Sequence, residues 1–223
     1  MELFIRFMAA VMLIILFPLF LSIIFISLVF QGSPVIFKQE RVGFNYVPFM
    51  FYKFRTMRNN NRGNKITAST DVRITKWGKF LRELKLDELP QLWNIVKGDI
   101  HFVGYRPEVT EIVNSFPQYF SFLSMSKPGL TDISSIVFKS ESKLIDSNDA
   151  LEFYTSCVLP VKSKLVVLFL EKDSFFLRFV IIIFTGISIL SHKIGLKLVS
   201  SLIPENNTEL RSSINNILKV DSF

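Results

Sequence analysis

Residues Met8–Phe30 read MAAVMLIILFPLFLSIIFISLVF, and how this stretch meets a membrane decides the architecture of the chain. No charged residue stands between Arg6 and Lys38. About 20 apolar residues suffice to cross a bilayer as a helix, so a spanning helix is the simple reading. Pro18 complicates it, because a proline inside a helix removes one hydrogen bond and crowds the preceding turn. Phe17-Pro18 lies near the middle of the stretch. A helix here is expected to kink, and then either to cross as a bent span or to enter the lipid and return to the same face. Lys38, Arg41, Lys53, Arg55 and Arg58 follow, which places that end in the cytoplasm by the positive-inside rule. The other flank carries Arg6, offset by Glu2, and leaves both topologies open. A cleaved signal is not expected, since the run is long for one and no small-residue cleavage site follows it.

The rest of the composition agrees with a membrane setting. Of 223 residues, 49% are hydrophobic and 24 are phenylalanine, yet the formal net charge is +7. A basic chain this apolar has two kinds of anionic partner: nucleic acid, or membrane phosphates and phosphorylated substrates. The hydrophobicity favours the second. The basic residues are also interleaved with acids rather than gathered in a stripe, so no nucleic acid is expected among its partners. Cys157 is the only cysteine, which excludes an intramolecular disulfide and fits a reducing compartment.

Beyond the apolar stretch, Val35-Ile36-Phe37 and Phe49-Met50-Phe51-Tyr52 read as short strands around a turn at Gly43–Pro48, hence a hairpin. Residues 59–64 read as an exposed loop. Ile74, Trp77, Phe80, Leu81 and Leu84 recur at helical spacing. A second helix is expected to begin near Glu88, with Asp87 as N-cap, Pro90 in the first turn and Gly98 as terminator. A third is expected from Pro107-Glu108 through Val113. Residues 127–148 are turn-rich around a short apolar run, Ile133–Phe138. Leu165–Leu170 and Phe179–Leu190 are apolar but interrupted by charge, and suit helices lying on a membrane surface. The chain thus divides into a kinked membrane helix (1–37), a catalytic domain (38–163), membrane-surface helices (164–191) and a loosely held polar tail (192–223). The fold class is α+β, mainly helical.

Candidate chemistry concentrates between residues 38 and 108. The two histidines, His101 and His192, are far apart, and no metal cluster, nucleophile elbow, P-loop or dinucleotide fingerprint is present. Instead Arg41, Lys53, Arg55, Arg73, Arg82 and Arg106 are interspersed with Asp71, Asp87, Glu88, Asp99 and Glu108. Fixed cations suit phosphate oxygens, and carboxylates suit Mg2+ with substrate phosphates completing its shell. A carboxylate can also attack phosphorus and form an acyl phosphate. Taken alone, Asp87 is most simply a helix cap, and Lys53 and Arg55 a solvated strand face. A cap and a phosphate site are compatible, because a helix N-terminus presents unpaired N–H groups to an anion. Asp87 among arginines at such a terminus is expected to be held ionised.

The stretch Leu86-Asp87-Glu88-Leu89-Pro90-Gln91-Leu92-Trp93-Asn94 resembles the signature of the bacterial sugar transferase family, the monotopic polyprenyl-phosphate phosphoglycosyl transferases. Five further parts of the chain are similar to family blocks in the same order. They are Lys38–Gly43, Tyr52–Met57, Asp71–Thr75 followed by Gly78, Lys97–Asp99 with Val103–Pro107, and Lys127–Thr131. The shared order carries the resemblance, from about residue 32 to 131 and more weakly to about 190.

The resemblance implies a re-entrant membrane helix broken near its middle, here at Pro18, and a small domain on the cytoplasmic face of the bacterial inner membrane. It implies a ping-pong reaction. The aspartate matching Asp87 attacks the β-phosphate of a UDP-sugar, UMP leaves, and undecaprenyl phosphate then takes the phosphosugar from the aspartate. Mg2+ is implied near Asp87, Glu88 as the second carboxylate, and Arg82 and Arg106 as phosphate holders, with Arg41, Lys53, Arg55 and Arg73 as further phosphate-binding candidates. Membrane lipids are the other implied partner, and surface polysaccharide synthesis is the implied setting. A catalytically inactive scaffold of the same fold is the alternative. Phe17 stands where serine usually precedes the proline, Ile5 near the place of a usual acidic residue, Tyr105 in place of a proline, and Asp132-Ile133-Ser134-Ser135 in place of Gly-x-Ala-Gln. The last two mark a branch of the family.

Overall fold

The computed structural model of the chain describes residues 2–58, 71–139 and 150–218. The expected loop at 59–64 and residues 140–148 of the turn-rich 127–148 segment lie outside the described residues.

The apolar stretch forms two helices, α1 (Glu2–Ile15) and α2 (Phe17–Gln31), bent by 60° at the break between them. Pro18 sits in the first turn of α2, where its missing N–H costs least. Both outer ends are tied to the rest of the chain. At the start of α1, Glu2 pairs with His101 Nε2 at 2.8 Å and with Lys127 Nζ at 3.1 Å. At the end of α2, Arg55 donates to the carbonyls of Gln31, Gly32 and Ser33 at 2.5, 2.6 and 3.3 Å. Trp77 Nε1 donates to the buried Ser27 hydroxyl at 2.9 Å, joining α2 to the helix that carries the tryptophan.

The hairpin pairs β1 (Ile36–Val42) with β2 (Pro48–Phe54), antiparallel, in the register Ile36 to Phe54 and Val42 to Pro48. Both strands outrun the apolar patches that announced them, because Lys38, Glu40, Arg41 and Lys53 occupy ladder positions without breaking the pairing. The hairpin leads to α3 (Lys76–Glu83), where the Thr75 side chain accepts the Gly78 N–H at 2.8 Å. Gly78 is required by close approach: a Cβ there would lie 2.0 Å from the Thr56 carbonyl oxygen.

The next helix, α4 (Gln91–Lys97), starts later than expected, and Asp87 does not cap it. Lys85 adopts a left-handed conformation (φ 59°) and turns the chain straight into a 3-10 turn, Leu86–Glu88. Asp87 is therefore inside a helical turn, without the extended backbone a cap requires, and Pro90 occupies the cap position. Gly98 terminates α4 as expected, with φ 83°.

A second, unforeseen sheet pairs β3 (His101–Val103) with β4 (Gly129–Thr131) in parallel. Helix α5 spans Thr110–Ser115 rather than starting at Pro107, because the Glu108 carbonyl is taken by the Val42 N–H at 2.9 Å and Val109 is extended. Then come α6 (Ile133–Val137), α7 (Leu151–Glu171, with a π-helical turn at Tyr154–Val158), α8 (Phe175–Leu190), α9 (His192–Ser200) and α10 (Thr208–Leu218).

The main core gathers buried residues of β3, α5, α6 and the helices α7 to α10. Two smaller cores seat α1 and α2. Ala9 of α1 packs with Leu92, Ile95 and Ile100, and Ile23 of α2 packs with Phe54 and Leu81. The C-terminal segment is not a loose tail. Val199, Ile203, Leu210 and Ile214 are all buried in the main core. Its polar appearance comes from amphipathic helices that show solvent only one face.

By length and composition α7 could cross a membrane, with a mean hydropathy of 1.5. It nonetheless buries Val158, Leu165, Val166 and Phe169 in the main core, as the central helix of a folded domain does. The apolar α8 is shorter, and leaves Phe175, Phe176, Phe179, Ile182, Ile183 and Leu190 exposed, as α1 and α2 leave Leu3, Phe7, Phe25 and Phe30.

Candidate active site

The Lys85 reversal places Asp87 and Glu88 side by side between α3, β2 and the segment after β3, with only 6% and 7% of their surface exposed. Their surroundings differ sharply. Glu88 is saturated with cations. Arg106 grips it at 2.7 and 3.4 Å, Lys53 reaches it from β2 at 3.1 Å, and Lys85 lies at 3.8 Å. Burial would raise the Glu88 pKa, but Arg106, Lys53 and Lys85 together hold it well below the ordinary glutamate range. In return Glu88 raises Arg106. Burial pushes Lys53 down to about 8, against the pull of Glu88.

Asp87 is the less satisfied of the two. Its Oδ1 is buried without a hydrogen-bond partner. Burial and the neighbouring Glu88 charge raise its pKa, against Lys53, Lys85 and Arg82. Lys53, Lys85 and Arg106 make their direct contacts with Glu88 rather than with Asp87, whose pKa is shifted upward. A buried carboxylate oxygen that no protein donor reaches is available to bond an incoming electrophile or cation.

The other predicted residues sort by what already holds them. Arg82, on the last turn of α3, donates through Nε to Thr56 Oγ1 at 2.8 Å; burial lowers its pKa and Asp87 and Asp71 pull it back up. Arg106, Lys53 and Arg82 thus converge with the acidic pair. Arg41 stands one layer behind. It meets Glu108 at 3.3 Å and Gln39 at 2.7 and 3.1 Å, and burial lowers its pKa while Glu108 opposes. The Tyr154 hydroxyl, at the π-helical turn of α7, donates to the other Glu108 oxygen. A cavity of about 20 Å³ between Arg106, Glu108, Tyr154 and Lys162 is large enough for one water. Arg73 is clamped by Asp71, Nε to Oδ1 at 2.9 Å and Nη2 to Oδ2 at 2.5 Å. The structure does not bring Arg55 into this group, since its guanidinium holds the end of α2. Pro18 marks the bend between α1 and α2.

Two participants carried no signal that the sequence reading used: Lys85 and Tyr154. Lys85 stands three residues before Glu88, a spacing that brings side chains together on a helical turn, and could have been found that way. Tyr154 is far away in sequence and had no such cue.

Among the described residues no group of three or more His, Cys, Asp and Glu is placed to hold a metal ion. A divalent cation here would rest on the orphaned Asp87 oxygen with substrate phosphates, a donor set that suits Mg2+, which commonly binds through one or two carboxylates plus phosphate.

The family model described as bacterial sugar transferase matches residues 2–192. An uncharacterized sugar transferase of Bacillus subtilis, EpsL, is 42% identical over 45% of this chain and 50% of its own length. The UDP-N-acetylgalactosamine-undecaprenyl-phosphate N-acetylgalactosaminephosphotransferase of Aeromonas hydrophila is 36% identical over 58% of this chain and 32% of its own. The UDP-glucose:undecaprenyl-phosphate glucose-1-phosphate transferase of Klebsiella pneumoniae is 36% identical over 57% and 29%. The chain therefore matches half or less of the length of these relatives.

Proposed function

Because the chain belongs to the bacterial sugar transferase family, we propose that it transfers a sugar-1-phosphate from a UDP-sugar to undecaprenyl phosphate, releasing UMP, as a membrane step of surface polysaccharide synthesis. The relatives from Aeromonas and Klebsiella carry names describing that transfer. The observation that carries the reading is the asymmetry of the acidic pair: Glu88 is neutralised by Arg106, Lys53 and Lys85, while Asp87 keeps a buried oxygen unbonded.

In the first half-reaction an Asp87 carboxylate oxygen attacks the β-phosphorus. The new bond is O–P, the bond broken is the P–O bond to UMP, and UMP leaves with the electron pair. In the second, a phosphate oxygen of undecaprenyl phosphate attacks the same phosphorus and Asp87 departs as carboxylate. Lys53, Arg82 and Arg106 hold phosphate oxygens and stabilise charge developing on them. Glu88 fixes Arg106 and Lys53 in place for that task. When bound at Asp87, Mg2+ supplies further neutralisation of the diphosphate. The burial of Asp87 excludes water that would hydrolyse the acyl phosphate.

The lipid acceptor calls for a membrane seat, and the bent α1–α2 pair with exposed α8 residues supports one. Glu2 at the start of α1 and Gln31 at the end of α2 are both tied to the same domain. That favours a re-entrant hairpin over a span, with the domain on the cytoplasmic face.

Asp87→Asn tests the mechanism. It is expected to abolish UMP release from UDP-sugars while the protein still fractionates with membranes. Retained turnover would refute the covalent route.

A further inference from the structure

Gln91 is fully buried, and among the described residues it alone has two side-chain polar atoms that are both buried and without a hydrogen-bond partner. Burying such groups unpaired is unfavourable, so a purely structural glutamine here would be poorer than leucine. Its position is informative. The backbone is helical from the Leu86–Glu88 turn through Leu89 (φ −53°, ψ −37°) and Pro90 (φ −60°, ψ −16°) into α4. Residues four apart on a continuous helical backbone are about one turn apart, so Gln91 lies about one turn beyond Asp87. Three unpartnered buried atoms therefore belong to residues about one helical turn apart: Asp87 Oδ1, Gln91 Oε1 and Gln91 Nε2.

Their chemistry selects an occupant. Two oxygens ask for a cation or donors, and one amide N–H2 asks for an acceptor. Asp87 and Gln91 do not satisfy each other in this structure. A divalent cation carrying a phosphate satisfies all three at once, because amide and carboxylate oxygens are hard ligands for such a cation and its phosphate oxygens accept from the amide.

We propose that Gln91 completes the seat of the metal–diphosphate, with Oε1 as a second protein oxygen on the cation beside Asp87 and Nε2 donating to a phosphate oxygen. This rests on the proposed function for the presence of cation and diphosphate, and adds a residue with a stated role to it.

The test is Mn2+ binding, read from the EPR signal of free Mn2+, to the purified full-length protein in detergent micelles with UDP present. Gln91→Leu is expected to weaken Mn2+ binding by roughly tenfold or more, with a melting temperature no lower than that of the parent. Gln91→Glu keeps an oxygen but loses the donor. It is expected to bind Mn2+ at least as well as the parent and UDP more weakly. Unchanged Mn2+ affinity in Gln91→Leu overturns the inference alone, as does unchanged UDP affinity in Gln91→Glu should the leucine variant fail to fold. A parent protein that takes up no Mn2+ overturns it together with the metal part of the proposed function.

Discussion

Glu88→Gln keeps the shape of the buried acidic residue and removes one charge, which makes it the sharpest probe of the cation network. In the parent, Glu88 meets Arg106 at 2.7 Å, Lys53 at 3.1 Å and Lys85 at 3.8 Å. The carboxylate is 9% exposed, so solvent screens these contacts little. Removing one partner of a buried pair costs about 3–5 kcal/mol, because the other charges stay buried without compensation. Glutamine still accepts one hydrogen bond, which favours the lower end, about 3 kcal/mol. For a chain of this size each kcal/mol moves the melting temperature by about 2–4 °C, so the variant is expected to melt about 6–12 °C lower at neutral pH. The pH dependence follows from linkage. Glu88 is depressed in the folded state, so its stabilisation is fully present above its ordinary value of 4.5 and is lost as pH falls through the folded value. Parent and variant should therefore differ most near pH 7 and converge in acid as Glu88 takes up a proton. Melting curves in detergent between pH 3 and 8 measure this. Equal melting at pH 7, or a gap that stays constant into acid, would refute the reading of Glu88 as the charge that holds Lys53 and Arg106 in place.

Two further outcomes are expected. The kcat/KM for the UDP-sugar should fall as pH rises through about 8, where Lys53 loses its charge, and Lys53→Arg should move that limb to higher pH; a profile unchanged by Lys53→Arg would exclude Lys53 as the titrating group. Tyr105 is 1% exposed with an unpartnered hydroxyl beside Phe122, so Tyr105→Phe should match or exceed the parent in stability, by up to about 3 kcal/mol, and a loss in thermal melting would mean the hydroxyl has a partner.

How much of the site was legible follows from where its contacts lie along the chain. Asp87, Glu88, Arg82 and Arg106 fall in recognisable blocks, and hairpin, α3 and the Gly98 terminator follow from local pattern. The role of Asp87 as a cap was misread because its backbone depends on Lys85 turning left-handed, and three-residue conformations of that kind leave no periodic trace. Arg55 and Arg41 look alike in sequence, yet one binds the end of α2 and the other binds Glu108; only the partner distinguishes them. Gln91 reads as an ordinary helix residue until its burial is known.

The sequence by itself determined that an uncharged, proline-broken apolar stretch precedes a basic domain, since charge and hydrophobicity act on each residue regardless of its neighbours in space. It also determined the order of the family blocks around Asp87. The tertiary structure alone decided which carboxylate is neutralised and which is left open. Lys53, Lys85 and Arg106 arrive from different elements, and their pull falls with distance, so contacts of 2.7–3.8 Å favour Glu88 and leave Asp87 above its ordinary pKa. It also decided that α9 and α10 bury Val199, Leu210 and Ile214 in the main core, because an amphipathic helix shows its apolar face only to what it packs against.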